Sequence, residues 1–336
     1  MQITTIGIDI AKKLFHVVCC NSKNKIIRKK MLRRSQLMDY LSNIPRCLVA
    51  MEACATSNYW GREIMALGHQ VKLLPPQHVK AFLTGNKNDY NDAHAIVVTS
   101  GQAHIKAVPV KSVEQQDNQI VHAVRELAIR QRTALCNQIR GLLLEYGISV
   151  SKGINNLRKE VVHLQDDTSA LSQTFKQVLS LLYNQLSLLD DSIAQHNQRI
   201  TQQANHHETC LRLQTIPGVG PLVATSIFNE IGHGSAYKRG REVSASIGLV
   251  PRQHSTGGKE RLLGISKRGN RYLRCLLIQG AKAVVFRAKH KTDKLSLWIN
   301  RIVVTRGHNK ACVAYANKMA RIAWAITVSG ESYQAI

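Results

Sequence analysis

An α/β domain joined through long helices to a mainly helical, strongly basic domain is the fold class this sequence predicts, and three observations predict it. Over residues 1–112 short β-branched runs alternate with helical patterns, the rhythm of a sheet with helices packed on it. Over residues 113–208 the apolar residues recur every three or four positions, which is the helical period. Over residues 209–336 apolar helical runs flank a dense cluster of Lys and Arg.

Composition narrows the class of partner. The 336 residues carry 46 Lys and Arg against 21 Asp and Glu, a formal net charge of +25 with a pI near 10.0, which favours a polyanion such as a nucleic acid. Eight cysteines are scattered without a paired C-x-x-C spacing, so reduced thiols in a cytoplasmic protein are expected rather than a zinc site. His207 and Cys210 stand at a ligand-like spacing but lack a second pair. No apolar run approaches the ~20 residues that span a bilayer, and Lys12 and Lys13 interrupt the first apolar stretch. Membrane attachment and secretion are therefore not expected.

In the first domain, strands are predicted at Thr4–Ile10, Phe15–Cys20, Ile26–Met31, Cys47–Met51 and Gln70–Leu74, with helices near Gln36–Asn43, Asn58–Leu67 and Asp92–Ser100. Three initial strands in an antiparallel meander, followed by interleaved helices, suit a ribonuclease-H-like fold. Within Ile6-Gly-Ile-Asp-Ile10, Asp9 sits in an apolar run where an uncompensated charge is costly. Glu52 ends the run Leu48-Val-Ala-Met-Glu52, and Lys87-Asn-Asp-Tyr-Asn-Asp-Ala93 places Asp89 and Asp92 three apart at a helix start. Four carboxylates that converge repel one another, and a divalent cation with oxygen ligands, Mg2+ or Mn2+, is the usual remedy. Two such ions about 4 Å apart activate an attacking oxygen and stabilise a leaving one in phosphodiester chemistry. The structural alternative makes Asp89 and Asp92 helix caps and Glu52 an ordinary surface acid.

The spacer predicts one amphipathic helix from about Val113, with Ile120, Val124, Leu127, Leu135, Ile139, Leu142 and Tyr146 on a stripe that Gly147 stops. A second stripe runs through Leu157, Val161, Leu164, Leu171, Phe175, Val178 and Leu182 and resumes through Leu186, Leu189, Ile193 and Ile200. An antiparallel or intermolecular coiled coil and a plain helical hairpin on the same chain both fit, because Thr168 and His196 dilute the seam.

The last domain opens on Thr215-Ile-Pro-Gly-Val-Gly-Pro221 before the helical run Leu222–Ile231, which reads as a helix-hairpin-helix turn. Gly218 and Gly220 would let backbone N–H groups approach a phosphate. Residues 238–291 hold fourteen Lys or Arg against two Glu, a net +12. Within that segment, Gly248-Leu-Val-Pro-Arg-Gln-His-Ser-Thr-Gly-Gly-Lys259 carries adjacent hydroxyls in a Gly-rich loop. Such a serine could attack a phosphodiester, with Arg252, His254 or Lys259 stabilising charge or moving protons; taken by themselves, Ser255 and Thr256 also read as phosphate-contacting or turn residues.

The order Gly-Ile-Asp-Ile-Ala-Lys (7–12), Met-Glu-Ala-Cys (51–54), Lys-Asn-Asp-Tyr-Asn-Asp-Ala (87–93) and Gly264-Ile-Ser-Lys-Arg-Gly-Asn-Arg-Tyr-Leu-Arg274 resembles the DEDD transposases of the insertion sequence one-hundred-and-ten family. The resemblance covers nearly the whole chain. It implies a RuvC-like domain (1–112), a coiled-coil spacer (113–208) and a C-terminal transposase domain (209–336). It implies Asp9, Glu52, Asp89 and Asp92 as the metal-binding catalytic tetrad and a serine nucleophile in the hydroxyl loop. Counted from Pro251 the family's serine falls on Thr256; a one-residue shift makes it Ser255, which is taken for its unhindered primary hydroxyl, with Thr256 as alternate. Lys267, Arg268, Arg271 and Arg274 would bind backbone phosphates beside Arg252 and Lys259, and Tyr272 would be a packing or stacking residue. Cys54 departs from the family's usual Thr-Gly after Glu-Ala, outside the acids. Family membership further implies donor and target DNA, a structured guide (bridge) RNA that pairs with both, and a homo-oligomer, a dimer or tetramer, in which one subunit's acidic site meets another's serine loop. Two other readings fit the same residues: a RuvC-like structure-specific nuclease that hydrolyses with water alone, and a non-catalytic nucleic-acid-binding scaffold.

Overall fold

β-branched and sulfur-bearing residues in period-two runs form the first sheet. The computed structural model describes residues 2–84, 88–165 and 171–335; Lys87 of the acid motif and Thr168 of the second helical stripe lie outside them. Strands β1 (Thr5–Ile10), β2 (Leu14–Cys20), β3 (Ile26–Arg33), β4 (Leu48–Glu52) and β5 (Gln70–Leu74) form one sheet in the order β3-β2-β1-β4-β5. β1 pairs antiparallel with β2, and β2 with β3, while β4 and β5 run parallel to β1. All five predicted strands are present, each within two residues of its expected ends.

Alternation divides the sheet into two faces. Ile6, Ile8, Phe15, Val17, Val49 and Met51 point to one side and pack with α1 (Leu37–Ser42) and α2 (Ser57–Ala66) through Leu37, Leu41, Trp60 and Ile64. Val18, Cys20 and Ala50 point to the other side, where α3 (Pro76–Lys80) and α4 (Asp89–Ser100) lie against them through Val79, Ala93, Ala95, Ile96 and Val97. The short α3 was not expected, because five residues beginning on the second proline of a Pro-Pro pair carry no helical stripe. Gly7 is what lets α4 approach β1: a Cβ there would meet the Ala93 carbonyl oxygen and lie 2.7 Å from Val97 Cγ2.

The chain falls into two compact units, Met1–Glu114 and Gln115–Ile336. In the second unit, α5 (Val113–Leu144) and α7 (Gln173–His206) run antiparallel, with α6 (Ile154–Leu164) against both. Arg125 Nε donates to Asn197 Oδ1 at 2.5 Å and Arg132 Nη1 to Asp190 Oδ1 at 3.0 Å, while Arg158 also pairs with Asp190. Leu135, Ile139 and Leu143 of α5 meet Leu157 and Val161 of α6 and Phe175, Leu179 and Leu186 of α7. These three helices therefore share one apolar cluster within the chain.

The remainder is a bundle of α8 (Glu208–Gln214), α9 (Pro221–Ile231), α10 (Gly240–Ser246), α11 (Arg271–Ala288), α12 (Lys294–Arg306) and α13 (His308–Ser329), with one hairpin of β6 (Pro251–Gln253) and β7 (Leu262–Ile265). Tyr315, fully buried at its centre, donates its hydroxyl to the Pro217 carbonyl at 2.7 Å. No helix among the described residues is long and apolar enough to cross a membrane.

Candidate active site: an acidic centre and a hydroxyl hairpin

Period two decides which acids can meet. Asp9 follows Gly7 on the α4 side of β1, Glu52 follows Ala50 on the same side of β4, and each stands one residue past the Ile8–Met51 pair of the parallel ladder. α4 carries Asp89 and Asp92 in its first turn. Burial pushes the Asp9 carboxyl above the ordinary carboxylate range, the Asp92 and Asp89 charges push it further, His16 pulls it down, and Glu52 adds to the rise. Glu52 is raised as well, by burial and then by Asp92. The structure therefore brings together all four predicted acids at one end of the sheet.

The helix cap is a different residue. Asn88 is the N-cap of α4, and its Oδ1 accepts from the Tyr90 N–H at 2.9 Å. The Asp89 and Asp92 carboxylates stand in a first turn whose partial positive charge suits them.

One member of the centre was not singled out from sequence. His16 of β2 is the direct ladder partner of Asp9, and its Nδ1 lies 3.4 Å from Asp89 Oδ2. That nitrogen is buried and makes no hydrogen bond. One ligand atom each from Asp9, His16 and Asp89 lie within 4.8 Å of one another, and no other such cluster occurs among the described residues. Three ligand atoms at this spacing, a buried ring nitrogen without a hydrogen bond, and an Asp9 carboxyl raised by burial and then by its acidic neighbours fit a divalent cation. Tyr90 packs edge-on against His16 at 4.9 Å, and Lys29 Nζ lies 5.6 Å from the Tyr90 ring centroid. Lys29 belongs to a run from Lys12 to Arg34 with nine Lys or Arg and no acid. That run was legible as charge, but only the sheet order puts part of it beside the acids.

In the second unit the Gly-rich loop is a β-hairpin. Gly257 and Gly258 have φ of 55° and 75°, and the Lys259 N–H donates to the Thr256 carbonyl at 3.1 Å. Two successive positive φ values make the tight turn whose twist matches the strands. Ser255 and Thr256 both stand exposed just before this turn. Gln253 Nε2 donates to Ser255 Oγ at 3.0 Å; by alternation Thr256 shares the opposite side with His254. Arg252, Lys259, Lys267, Arg268 and Arg271 are exposed.

One expectation is corrected here. Arg274 is 7% exposed, and its Nη1 donates to the carbonyls of Ile247 at 2.7 Å and Arg268 at 2.8 Å. A guanidinium enclosed in this way holds two loops together and is not presented to a phosphate. Gly218, with φ of +84°, turns its bare Cα toward α11, where a Cβ would lie 2.7 Å from the Gly280 carbonyl oxygen and 2.8 Å from Val284 Cγ2. Close helix packing accounts for this glycine, whereas Gly220 has open space around it.

Comparison with known proteins identifies the family. The model of the transposase IS116/IS110/IS902 family matches residues 210–296, and a second model, a DEDD transposase, matches residues 6–148. The chain is 43% identical over 334 residues to the transposase for insertion sequence element IS1111A of Coxiella burnetii, covering 99% of this chain and 92% of that one. It is 37% identical to the transposase for insertion sequence element IS1328 of Yersinia enterocolitica over 98% of both chains. It is also similar to the pilin gene-inverting protein of Moraxella bovis, at 24% identity over 85% of this chain and 84% of that one. This chain belongs to the IS116/IS110/IS902 family of insertion-sequence transposases.

Proposed function

We propose that this transposase cuts and rejoins DNA with a divalent-metal tetrad, Asp9, Glu52, Asp89 and Asp92, and a hydroxyl nucleophile on the hairpin, Ser255 with Thr256 as alternate. The observation that carries the reading is the clustering of Asp9, Asp89 and His16 ligand atoms within 4.8 Å of one another, with the charges of Asp92 and Glu52 acting on the same Asp9 carboxyl. The sheet order β3-β2-β1-β4-β5, with only the first three strands antiparallel, supports the ribonuclease-H-like, RuvC-like assignment. Asp9, Asp89 and His16, with Glu52 and Asp92 beside them, would hold Mg2+ or Mn2+, which when bound supplies charge neutralisation at a scissile phosphate.

The chain's own groups do the rest. The hairpin oxygen forms a bond to phosphorus as the leaving sugar oxygen departs, its proton passing to a base and a proton passing to the leaving oxygen. Rejoining reverses these steps with the new strand's hydroxyl as nucleophile, so no energy-rich cofactor is needed. Arg252, Lys259, Lys267, Arg268 and Arg271 would neutralise backbone phosphates.

The residues 209–336 form the transposase domain in this reading, and the helices of 113–208 a spacer that presents it. Leu181 and Leu188, one heptad apart on α7 and each 69% exposed, support a homo-oligomer, dimeric or tetrameric, in which the acidic centre of one subunit serves the hairpin of another. At 5% aromatic the chain has few groups for reading bases by stacking, which supports delegation of sequence choice to a guide (bridge) RNA.

The test is strand cleavage and joining on a DNA junction in Mg2+. Asp89→Asn is expected to abolish both while leaving DNA affinity, and a trapped covalent protein–DNA product is expected to map to Ser255 or Thr256. Full activity of a Ser255→Ala/Thr256→Ala protein would instead assign hydrolysis by water to the acidic centre alone. Sequencing RNA that co-purifies with the protein from cells carrying its flanking DNA tests the guide; recombination at full rate by RNA-free protein overturns it.

A further inference from the structure

The second unit carries a groove of about 1980 Å³ walled by α10, β7, α12 and α13. One face of α13 forms its length: Lys310, Val313, Asn317, Arg321 and Trp324 recur at steps of three and four, over ~22 Å of helix. Eight Lys or Arg line the groove and, among the described residues, no acid does. Arg239 lies 3.9 Å from Glu242, and Lys318 Nζ stands 4.7 Å from the Trp298 ring centroid. Arg241, Lys267, Arg301, Arg306, Lys310 and Arg321 face it with no ion pair among the described residues.

Two features make this more than a basic surface. Trp298 and Trp324, two of the chain's three tryptophans, are half-buried in the lining beside Ile302 and Val313. Lys267 has φ of +57°, a left-handed conformation that lysine rarely adopts. It is held there by the backbone contact of Gly248, whose Cβ would lie 2.8 Å from the Lys267 carbonyl carbon, and by the Lys267 N–H donated to the Gly248 carbonyl at 3.1 Å. A rare conformation so firmly held, with its side chain in a groove, points to use.

An uncompensated row of cations calls for a polyanion, and two tryptophans among apolar neighbours call for flat apolar faces. An unpaired polynucleotide strand offers both at once, whereas a duplex hides the faces of its bases in the stack. Leu262, Leu263 and Ile265 of β7 form part of the wall, so a strand in the groove runs alongside the hairpin that carries Ser255 and Thr256. We propose that the groove holds an unpaired stretch of the DNA strand on which that hairpin acts, with phosphates on Arg301, Arg306, Lys310 and Lys267 and bases against Trp298 and Trp324. The choice of DNA rests on the hydroxyl reading above; the groove's preference for a single strand does not.

The experiment is equilibrium binding of the full chain to a fluorescent oligodeoxythymidine of about 12 nucleotides, within the site sizes of single-strand binders, in EDTA so that no strand is cut. Arg301→Ala/Arg306→Ala/Lys310→Ala is expected to weaken binding and to reduce the log–log salt slope by about 2, three contacts at ~0.7 each. The charge-conserving Arg301→Lys/Arg306→Lys/Lys310→Arg protein is expected to keep the slope, which separates lost contacts from lost folding. Bound oligonucleotide is expected to quench tryptophan emission, and less so in Trp298→Phe. An unchanged slope in the triple Ala protein overturns the groove. A loss as large on duplex DNA overturns the single strand, and one as large on oligouridine overturns the choice of DNA. Because binding is read without chemistry, a failure to find a covalent intermediate strikes the hydroxyl reading and leaves this result standing.

Discussion

Asp9 of β1 and His16 of β2 are direct partners in the antiparallel ladder, so carboxylate and imidazole lie side by side under α4. The pairing makes the imidazole part of the acidic centre, since its Nδ1 is 3.4 Å from Asp89 Oδ2 and makes no hydrogen bond. His16→Ala is expected to lower Mn2+ affinity about 10–100-fold. The loss should be smaller for Mg2+, which prefers oxygen ligands. Titration calorimetry with the two ions checks it, and equal affinities in variant and wild type would remove His16 from the site.

Gly7 sets the distance between β1 and α4. Its replacement by Ala forces a Cβ against the Ala93 carbonyl oxygen and to within 2.7 Å of Val97 Cγ2, overpacking that costs about 1–3 kcal/mol. Because α4 carries Asp89 and Asp92, the variant should also lose metal affinity with all four acids intact. Thermal melts and metal titration on the same protein measure both effects.

His122 of α5 ties together α9 and α11. The Thr225 hydroxyl donates to the Pro221 carbonyl at 2.9 Å, so it accepts from His122 Nε2–H at 2.9 Å, and His122 Nδ1 accepts from the Tyr272 hydroxyl at 3.0 Å. Burial, with a contribution from Arg125, pulls the imidazole down to about 4 from 6.5. The folded protein therefore binds fewer protons than the unfolded chain between those values, and stability is complete above pH 6.5 and falls as pH drops toward 4. The loss should reach about 3 kcal/mol. Denaturant melts across this range should show the slope in wild type and a flatter profile in His122→Gln.

Arg274 is expected to act on stability alone. Arg274→Ala leaves the Ile247 and Arg268 carbonyls without their charged donor, at a cost of about 1.5–3 kcal/mol. The salt dependence of nucleic-acid binding should be unchanged, in contrast to Arg271→Ala, whose exposed side chain should reduce the slope by about 1. A reduced slope in Arg274→Ala would restore it to the binding surface.

The sequence by itself determined the five strands, the first long helix, the acids and the hydroxyl loop. Each of these is written in local periodicity or in residues that stand together, as in Ile6-Gly-Ile-Asp-Ile10 or Ser255-Thr-Gly-Gly258. Asp9 and Glu52 were legible because a carboxylate in an apolar strand run is unusual wherever the chain goes next, and Asp89 and Asp92 because they stand three apart at a helix start. Tertiary structure alone decided that His16 joins them, because the pairing of position 9 with position 16 depends on the register of a turn that periodicity does not specify. It decided that Arg274 turns inward while Arg271, three residues away on the same helix, stays exposed, since the helix face that is buried depends on what packs against it. It assembled the basic groove from Lys267, Arg301, Lys310 and Arg321, whose common face exists only once α12 and α13 fold back along β7. Local pattern encodes which elements form; which side chains share a site is set by non-local packing.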